Sequence, residues 1–479
     1  MSVALWLVLT PLAFAALAFA TPSERVRPWL LPAAGLAQLG LVGLALFGVD
    51  GSPFATWLRL DAIGRLLAAY LAVLFALCAA YAPNYLALRS ERPNRIFCAV
   101  MLVFFAMMNL IVAVQHLGLL WVAVEATTLS SGPLIYFNRN PRSIEATWKY
   151  LLISSVGIAL ALLGTFFVAY AALARGAATS MLLGDLLADA PRLSRPWLHF
   201  GFVLALVGYG TKMGLAPMHT WKPDAYGEAP GLVGALLAGG LTSCAFTAIL
   251  RFFQICAAAG EAEFARSLLL LLGLFSMAVA GAFMVRQSDY KRLLAYSSVE
   301  HMGILALGVA VGGAGTFGAL LHLVNNGLSK GVLFLSAGNI HRAYGSKRTP
   351  EVRGALRVLP ASASLFVAGF LAVTGTPPFG PFVSEFTILS AMMRAERYGV
   401  AAAFLGLLVL AFVGMGSTVL AVVQGEPSPR SADTRYRDAW LGIAPIAALL
   451  ALVLVLGLWI PEPLLGLLRQ AAPALELAP

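Results

Sequence analysis

Five ionisable side chains stand in stretches that are otherwise apolar: Glu125 in LLWVAVEATTLSS, Lys212 in FGFVLALVGYGTKMG, His322 and Lys330 in LLHLVNNGLSKGVLFLSAG, and Glu385 in TGTPPFGPFVSEF. Carboxylates and ammonium groups occur together with an imidazole, whose unperturbed pKa near ~6.5 suits it to take up and release protons. The chemistry this set can do is proton exchange. His322, Asn326 and Lys330 are spaced i, i+4, i+8, which places them along one side of a helix. A single such residue is explained by a structural ion pair or a side chain reaching for the interface. Five on four apolar segments are not, because each charged group in mid-bilayer costs about 2.5–3.5 kcal/mol on insertion scales.

Two of these residues lie beside breaks. Pro217 follows Lys212 in KMGLAPMHTWKPDA, and Glu385 follows the run TGTPPFGP. A proline inside a membrane helix frees backbone groups that lipid cannot satisfy, so such breaks belong against protein or a watery cavity. Paired interrupted segments at matching positions of two halves point to an inverted-repeat transporter and its site. The expectation is two five-helix repeats, about residues 97–259 and 266–424, within a single transmembrane domain spanning 1–479. A lysine and a carboxylate on neighbouring helices, Lys212 and Glu125, would form a pair whose approach governs whether the lysine keeps its proton.

The elements that must position these groups are membrane helices. Of 479 residues 60% are hydrophobic and 11% charged, and the mean hydropathy is +0.85. A soluble domain carries about 25% charged residues. Apolar runs long enough to cross a ~30 Å hydrocarbon core fall near 3–20, 29–48, 62–82, 97–114, 117–137, 148–173, 199–222, 231–256, 266–286, 293–312, 316–340, 357–395, 399–424 and 440–459. The expected fold is therefore all-α, a polytopic membrane protein of about 14 transmembrane helices in which helices 7 and 12 are broken. The N-terminal LAFAALAFATPSE resembles a signal-peptide cleavage site, but no positive charge precedes the apolar run and Arg25 and Arg27 follow it, so an uncleaved first helix is expected. Lysine and arginine are about twice as frequent in the loops of one side as of the other, which places both termini outside. The expected location is the cell inner (plasma) membrane. The net charge of +10 is then a topology signal, and no basic patch suggests nucleic acid.

Several residue types argue against other chemistry. Cys78, Cys98, Cys244 and Cys256 lie in or beside apolar segments with no C-x-x-C pair, so neither an iron-sulfur cluster nor a metal site is expected. Of the six histidines only His301 and His322 are expected deep enough to ligate haem. Asp289, Lys291 and Arg292 in DYKRLLAYSS stand at a cytoplasmic helix start and read as a topology signal at least as readily as residues with a role in coupling. Glu300 and His301 suit helix packing and proton uptake equally, and Asp224 and Glu228 read as solvated or capping residues. GYGTKMG lacks the spacing of a phosphate loop.

The stretches WVAVEATTLSSGPLIYFNRNPRSIEATWKYLLISSVGIALALLGT, KMGLAPMHTWKPDAYGEAP, DYKRLLAYSSVEHMGI and GTPPFGPFVSEFTIL resemble the proton-pumping, antiporter-like membrane subunits of respiratory complex I, Mrp-type cation:proton antiporters and membrane-bound hydrogenases. The first is most similar to hydrogenase-4 component F, and the resemblance covers nearly the whole chain. It implies a fourteen-helix subunit with a polar axis across the membrane. On that axis Glu125 resembles the fifth-helix glutamate, Lys212 the seventh-helix lysine, His322 and Lys330 the eleventh-helix relay, and Glu385 the terminal acid of the twelfth helix. His219 matches a histidine beside the seventh-helix break. Two positions depart from the pattern: Ser243 stands where some relatives carry an eighth-helix lysine, and Asn326 where relatives carry a second histidine. Water held by Thr242, Ser243 and Asn326 would have to bridge there.

The resemblance implies a subunit that translocates protons within an oxidoreductase complex of the NADH:quinone oxidoreductase or hydrogenase type, binds no cofactor or metal itself, and partners other membrane subunits, the lipid bilayer and protons but no nucleic acid. One alternative is a subunit of an Mrp-like cation:proton antiporter without redox coupling. The other is a structural subunit whose charges only pin helices together, and the broken helices count against it.

Overall fold

The computed structural model describes residues 3–46, 56–89, 91–176, 180–429, 434 and 436–476. In chain order the helices are α1 (Val3–Ala20), α2 (Leu30–Leu46), α3 (Ala62–Ala87), α4 (Arg95–Ala113), α5 (Leu117–Ile135), α6 (Pro141–Leu173), α7 (Leu183–Ala188), α8 (Arg195–Met213), α9 (Trp221–Glu228), α10 (Gly231–Ala235) and α11 (Thr242–Ala258). They continue with α12 (Ala262–Met284), α13 (Tyr290–Val311), α14 (Ala314–Tyr344), α15 (Ala355–Val358), α16 (Pro360–Val373), α17 (Gly380–Arg394), α18 (Tyr398–Val423), α19 (Trp440–Leu458) and α20 (Glu462–Ala471). A π-helical turn, Leu236–Leu241, joins α10 to α11. Among the described residues there is no β-strand, only isolated bridges such as Leu58 with Val114 and His116 with Leu182.

Eleven segments among the described residues are long and apolar enough to cross a membrane. The other three expected spans fall on α8 with α9, on α14, and on α16 with α17, which are broken or rich in polar residues. Residues 47 and 48, the end of the second expected span, lie outside the described residues. The sixth helix starts at Pro141, seven residues before the expected 148. Asn140 and Ser143 form a reciprocal capping box there, the Ser143 amide donating to Asn140 Oδ1 at 2.7 Å and the Asn140 amide to Ser143 Oγ at 2.9 Å, so polar side chains rather than apolar ones start this helix.

The arrangement inverts that of a soluble protein. Outer helices turn large apolar side chains outward, among them Leu152, Val156 and Phe166 on α6 and Leu405 and Val409 on α18. α11, α13 and α14 are buried almost all round. His322, Asn325, Asn326, Ser329 and Lys330 on α14 are all buried. Lipid tails are as apolar as leucine, so close packing and hydrogen bonds draw helices together, and polar groups gather inside.

Small residues let α6 and α8 approach closely. A Cβ at Gly164 would lie 2.7 Å from the Gly201 carbonyl oxygen, and one at Gly208 would lie 2.7 Å from Ala161 Cβ. Because α8 carries Lys212, this contact sets how far that side chain reaches. Gly208→Val is expected to separate the two helices and cost about 1–3 kcal/mol through overpacking. The measurement is the thermal midpoint of the purified protein, and an unchanged midpoint would contradict the packing argument.

Both breaks use a glycine of positive φ beside an ionisable side chain. α8 ends at Gly214 (φ +83°) and α16 is followed by Gly375 (φ +66°). A Cβ at Gly214 would lie 2.7 Å from Lys222 Nζ, and one at Gly375 would overlap the Glu385 carboxylate. Each glycine therefore serves twice: it turns the chain where other residues are strained, and it leaves room for the charged group.

Candidate functional site

α5, α6 and α8 build one end of the site. Lys212 is fully buried, and its ammonium donates to Thr128 Oγ1 at 2.8 Å and to Tyr150 OH at 2.6 Å, with the Tyr150 ring centroid 4.5 Å away. Thr128 in turn donates to Glu125 Oε2 at 3.1 Å, and Ser155 donates to Glu125 Oε1 at 2.8 Å. The expected pairing of Glu125 with Lys212 is thus indirect. One hydroxyl accepts from the lysine and donates to the carboxylate, which a threonine can do because its oxygen is both donor and acceptor. Glu125 is half-buried on the outer side of α5.

α13, α14 and α17 build the other end. Lys330 donates to Ser297 Oγ at 2.7 Å, and Glu300, one turn further along α13, interacts electrostatically with that lysine. His301 Nδ1 and His322 Nε2 are 2.9 Å apart, and His322 Nδ1 is 2.9 Å from Ser384 Oγ. Ser384 donates back to the Pro381 carbonyl at 2.9 Å, so it accepts from His322 Nδ1–H. His322 Nε2 must then accept from His301 Nδ1–H, leaving His301 Nε2 as a free acceptor; that atom has no partner among the described residues. A proton arriving at His301 Nε2 can therefore pass through both rings toward Ser384 by tautomer exchange. Glu385 follows directly. It is 6% exposed, its Oε1 has no partner among the described residues, and it reaches a cavity of about 280 Å³ lined by Thr374, Phe382, Phe386, Leu389 and Phe404.

His301, His322 and Glu385 offer donor atoms within 4.8 Å of one another, a set able to hold a divalent ion. The two imidazoles do not suit a haem bound between them, since their facing nitrogens are within hydrogen-bond distance and leave no space for an iron atom.

The remaining expected residues are more peripheral. His219 lies in the linker between α8 and α9, its ring 6.2 Å from that of Tyr296, with Nδ1 unpartnered among the described residues. Ser243 and Thr242 turn their hydroxyls into their own helix, donating to the Gly239 and Ala238 carbonyls at 2.6 Å each. Asp224 and Glu228 are ion-paired rather than merely solvated: Asp224 meets Lys149 at 3.0 Å and Arg292 at 2.8 Å, and Glu228 meets Lys347. Lys291, expected as a topology signal, is buried and donates to the Ala229 carbonyl.

Sequence reasoning missed the supporting hydroxyls Thr128, Tyr150, Ser297 and Ser384, and one lysine. Lys222 on α9 is fully buried and donates to Ser298 Oγ at 3.1 Å. It stands at the end of the expected seventh span, next to the bend that holds Asp224, and only its closeness to Pro217 could have drawn attention to it.

Residues 114–412 match the family described as NADH:quinone oxidoreductase/Mrp antiporter, TM. The chain is 37% identical over 361 residues to a hydrogenase-4 component F homolog of Methylacidiphilum infernorum, covering 74% of each. It is 31% identical over 449 residues to NADH-quinone oxidoreductase subunit 14 of Thermus thermophilus, covering 90% of this chain and 95% of that one. Among solved structures, a chain of the membrane-bound sulfane sulfur reductase, an archaeal respiratory membrane complex, superposes with a TM-score of 0.88 at 20% identity over 99% of this chain and 98% of its own.

Proposed function

Because the chain belongs to the NADH:quinone oxidoreductase/Mrp antiporter transmembrane family, we propose that it is the proton-translocating, non-redox membrane subunit of an energy-converting redox complex of the complex I or hydrogenase-4 kind. The observation that carries this reading is two sets of ionisable groups held by hydroxyls in the interior: half-buried Glu125 with Thr128 and buried Lys212 at one end, Lys330 with Ser297, and His301, His322 and Ser384 toward Glu385, at the other.

The links from Glu125 through Thr128 to Lys212, from Lys330 to Ser297, and from His301 through His322 to Ser384 are donor–acceptor contacts that a proton can cross by short hops. A change at half-buried Glu125, imposed by a neighbouring subunit, alters the electrostatic environment of Lys212 through Thr128. Lys212 then holds or releases its proton, and Lys330 and the histidine pair respond in turn, delivering a proton to Glu385. The two breaks, each with a positive-φ glycine beside a charged side chain, support an organisation in two inverted repeats, about 97–259 and 266–424. The bias of lysine and arginine toward one set of loops supports both termini outside an inner (plasma) membrane. Other membrane subunits are the partners such a chain requires.

The family also embraces antiporters, so a cation:proton exchanger without redox coupling is the second reading. Lysines and imidazoles dominate the axis, whereas sodium prefers several oxygen ligands, and this favours protons.

Glu385→Gln is the deciding variant. It keeps the size of the side chain and removes the acid, and proton translocation per electron by the co-purified complex is expected to fall at least about tenfold while electron transfer persists, as loss of an essential proton carrier requires. An unchanged ratio in the assembled complex overturns the proposal. Sodium-driven pH changes in vesicles lacking any redox substrate would establish the antiporter instead.

A further inference from the structure

The two ends of the axis leave an interval between Lys212 and Lys330. The segment from Gly231 to Ala258 runs through the middle of the molecule, yet its one charged residue, Arg251, is held by Asp61. Ser243 and Thr242 spend their hydroxyl protons within their own helix. These residues offer the interval no group that gains or loses a proton.

Lys222 does stand in the interval. Its side chain lies over Gly214, two residues beyond Lys212, where a Cβ would come within 2.7 Å of Lys222 Nζ. The same ammonium donates to Ser298 Oγ at 3.1 Å, and the neighbouring Ser297 accepts from Lys330. Adjacent serines of α13 thus hold the two lysines, and the charge of Lys330 is felt at Lys222. α9 is locked in place by Trp221, whose indole donates to the Thr211 carbonyl at 2.8 Å and whose ring is 5.0 Å from that of Tyr150. Lys222 is fully buried with no carboxylate among its hydrogen-bond or ion-pair partners in the described residues. A lysine that only tied helices together would be expected to find a carboxylate, since a buried charge is costly unless paired. A lysine hydrogen-bonded to a hydroxyl, with an aromatic ring 5.7 Å away and no carboxylate, is free to become neutral.

We propose that Lys222 is a further proton-carrying residue of this path, receiving a proton from the Lys212 side and passing it by way of its Ser298 partner toward Lys330. The inference rests on the proton-translocating reading above. In the step itself no bond other than N–H and O–H is made or broken: the Lys222 ammonium gives up one proton and becomes the amine, and takes another from the opposite side to reset.

The test is a series at this position in the assembled complex, with proton translocation per electron as the readout. Arginine retains the charge and the donor but does not release its proton in proteins, so Lys222→Arg is expected to lower the ratio at least threefold. Lys222→Met is expected to lower it similarly, whereas Lys222→His, which can still titrate, is expected to retain pumping with an altered pH profile. A lysine that served only to place a positive charge would be replaced by arginine without loss in a complex that assembles. An unchanged ratio in Lys222→Arg therefore overturns the inference; where that variant fails to assemble, equal ratios in Lys222→Met and Lys222→His overturn it. Lys330→Met and Glu385→Gln serve as controls. If they too pump normally, the proton-translocating reading has failed; if they do not and Lys222→Arg does, only the role of Lys222 falls.

Discussion

Lys212→Met is expected to abolish coupled proton translocation, by more than about tenfold, in a complex that still assembles and transfers electrons. The methionine fills nearly the same volume, so the close packing of α6 on α8 survives. What disappears is the group that Thr128 and Tyr150 hold at 2.8 and 2.6 Å. Those hydroxyls cannot replace it, because they pass a proton only when a stronger acid and base stand on either side of them. With the lysine gone, Glu125 and its Thr128 and Ser155 partners have no proton carrier beyond them. The check is proton uptake by vesicles under a redox substrate, compared with electron flux. Wild-type coupling in the methionine variant would show that protons take another route.

Arg251→Met is expected to destabilise the protein without touching Glu125, Lys212, Lys330 or Glu385. Arg251 is 1% exposed, makes a two-pronged pair with Asp61, one prong at 2.8 Å, and also donates to Gln254 Oε1 at 3.2 Å. Asp61 also caps α3 through the Gly64 amide at 2.8 Å. Removing one partner of a buried pair costs about 3–5 kcal/mol because the other charge is left uncompensated. The Asp61 side chain keeps 23% of its exposure, so the lower part of that range applies. Thermal unfolding of the purified protein should begin at a clearly lower temperature. An unchanged midpoint would mean that water takes over the role of the guanidinium. Adding Asp61→Asn to Arg251→Met removes the orphaned charge and should recover part of the loss.

What the sequence by itself determined is the class of protein and the positions of its most costly residues. An apolar run of membrane length is a one-dimensional signal, and so is a lysine or glutamate inside one, because lipid penalises each charge separately. Glu125, Lys212, His322, Lys330 and Glu385 were legible for that reason, as were the breaks at Pro217 and at residues 374–381. Helix starts were less so: α6 begins at Pro141 through the Asn140–Ser143 capping box, which carries no hydropathy signal.

Only the tertiary structure decided which groups touch. Thr128 reaches Lys212 across 84 residues of chain, and Ser298 reaches Lys222 across 76. Ordinary serines and threonines become partners of buried lysines because helix packing sets them opposite one. Lys222 shows the limit most clearly: it is the last residue of the expected seventh span, where a charge passes as the end of a helix, yet the turn at Gly214 folds it into the interior. The physical reason is that insertion energy is summed along the chain, whereas hydrogen bonds between buried polar groups depend on which helices the packing brings together.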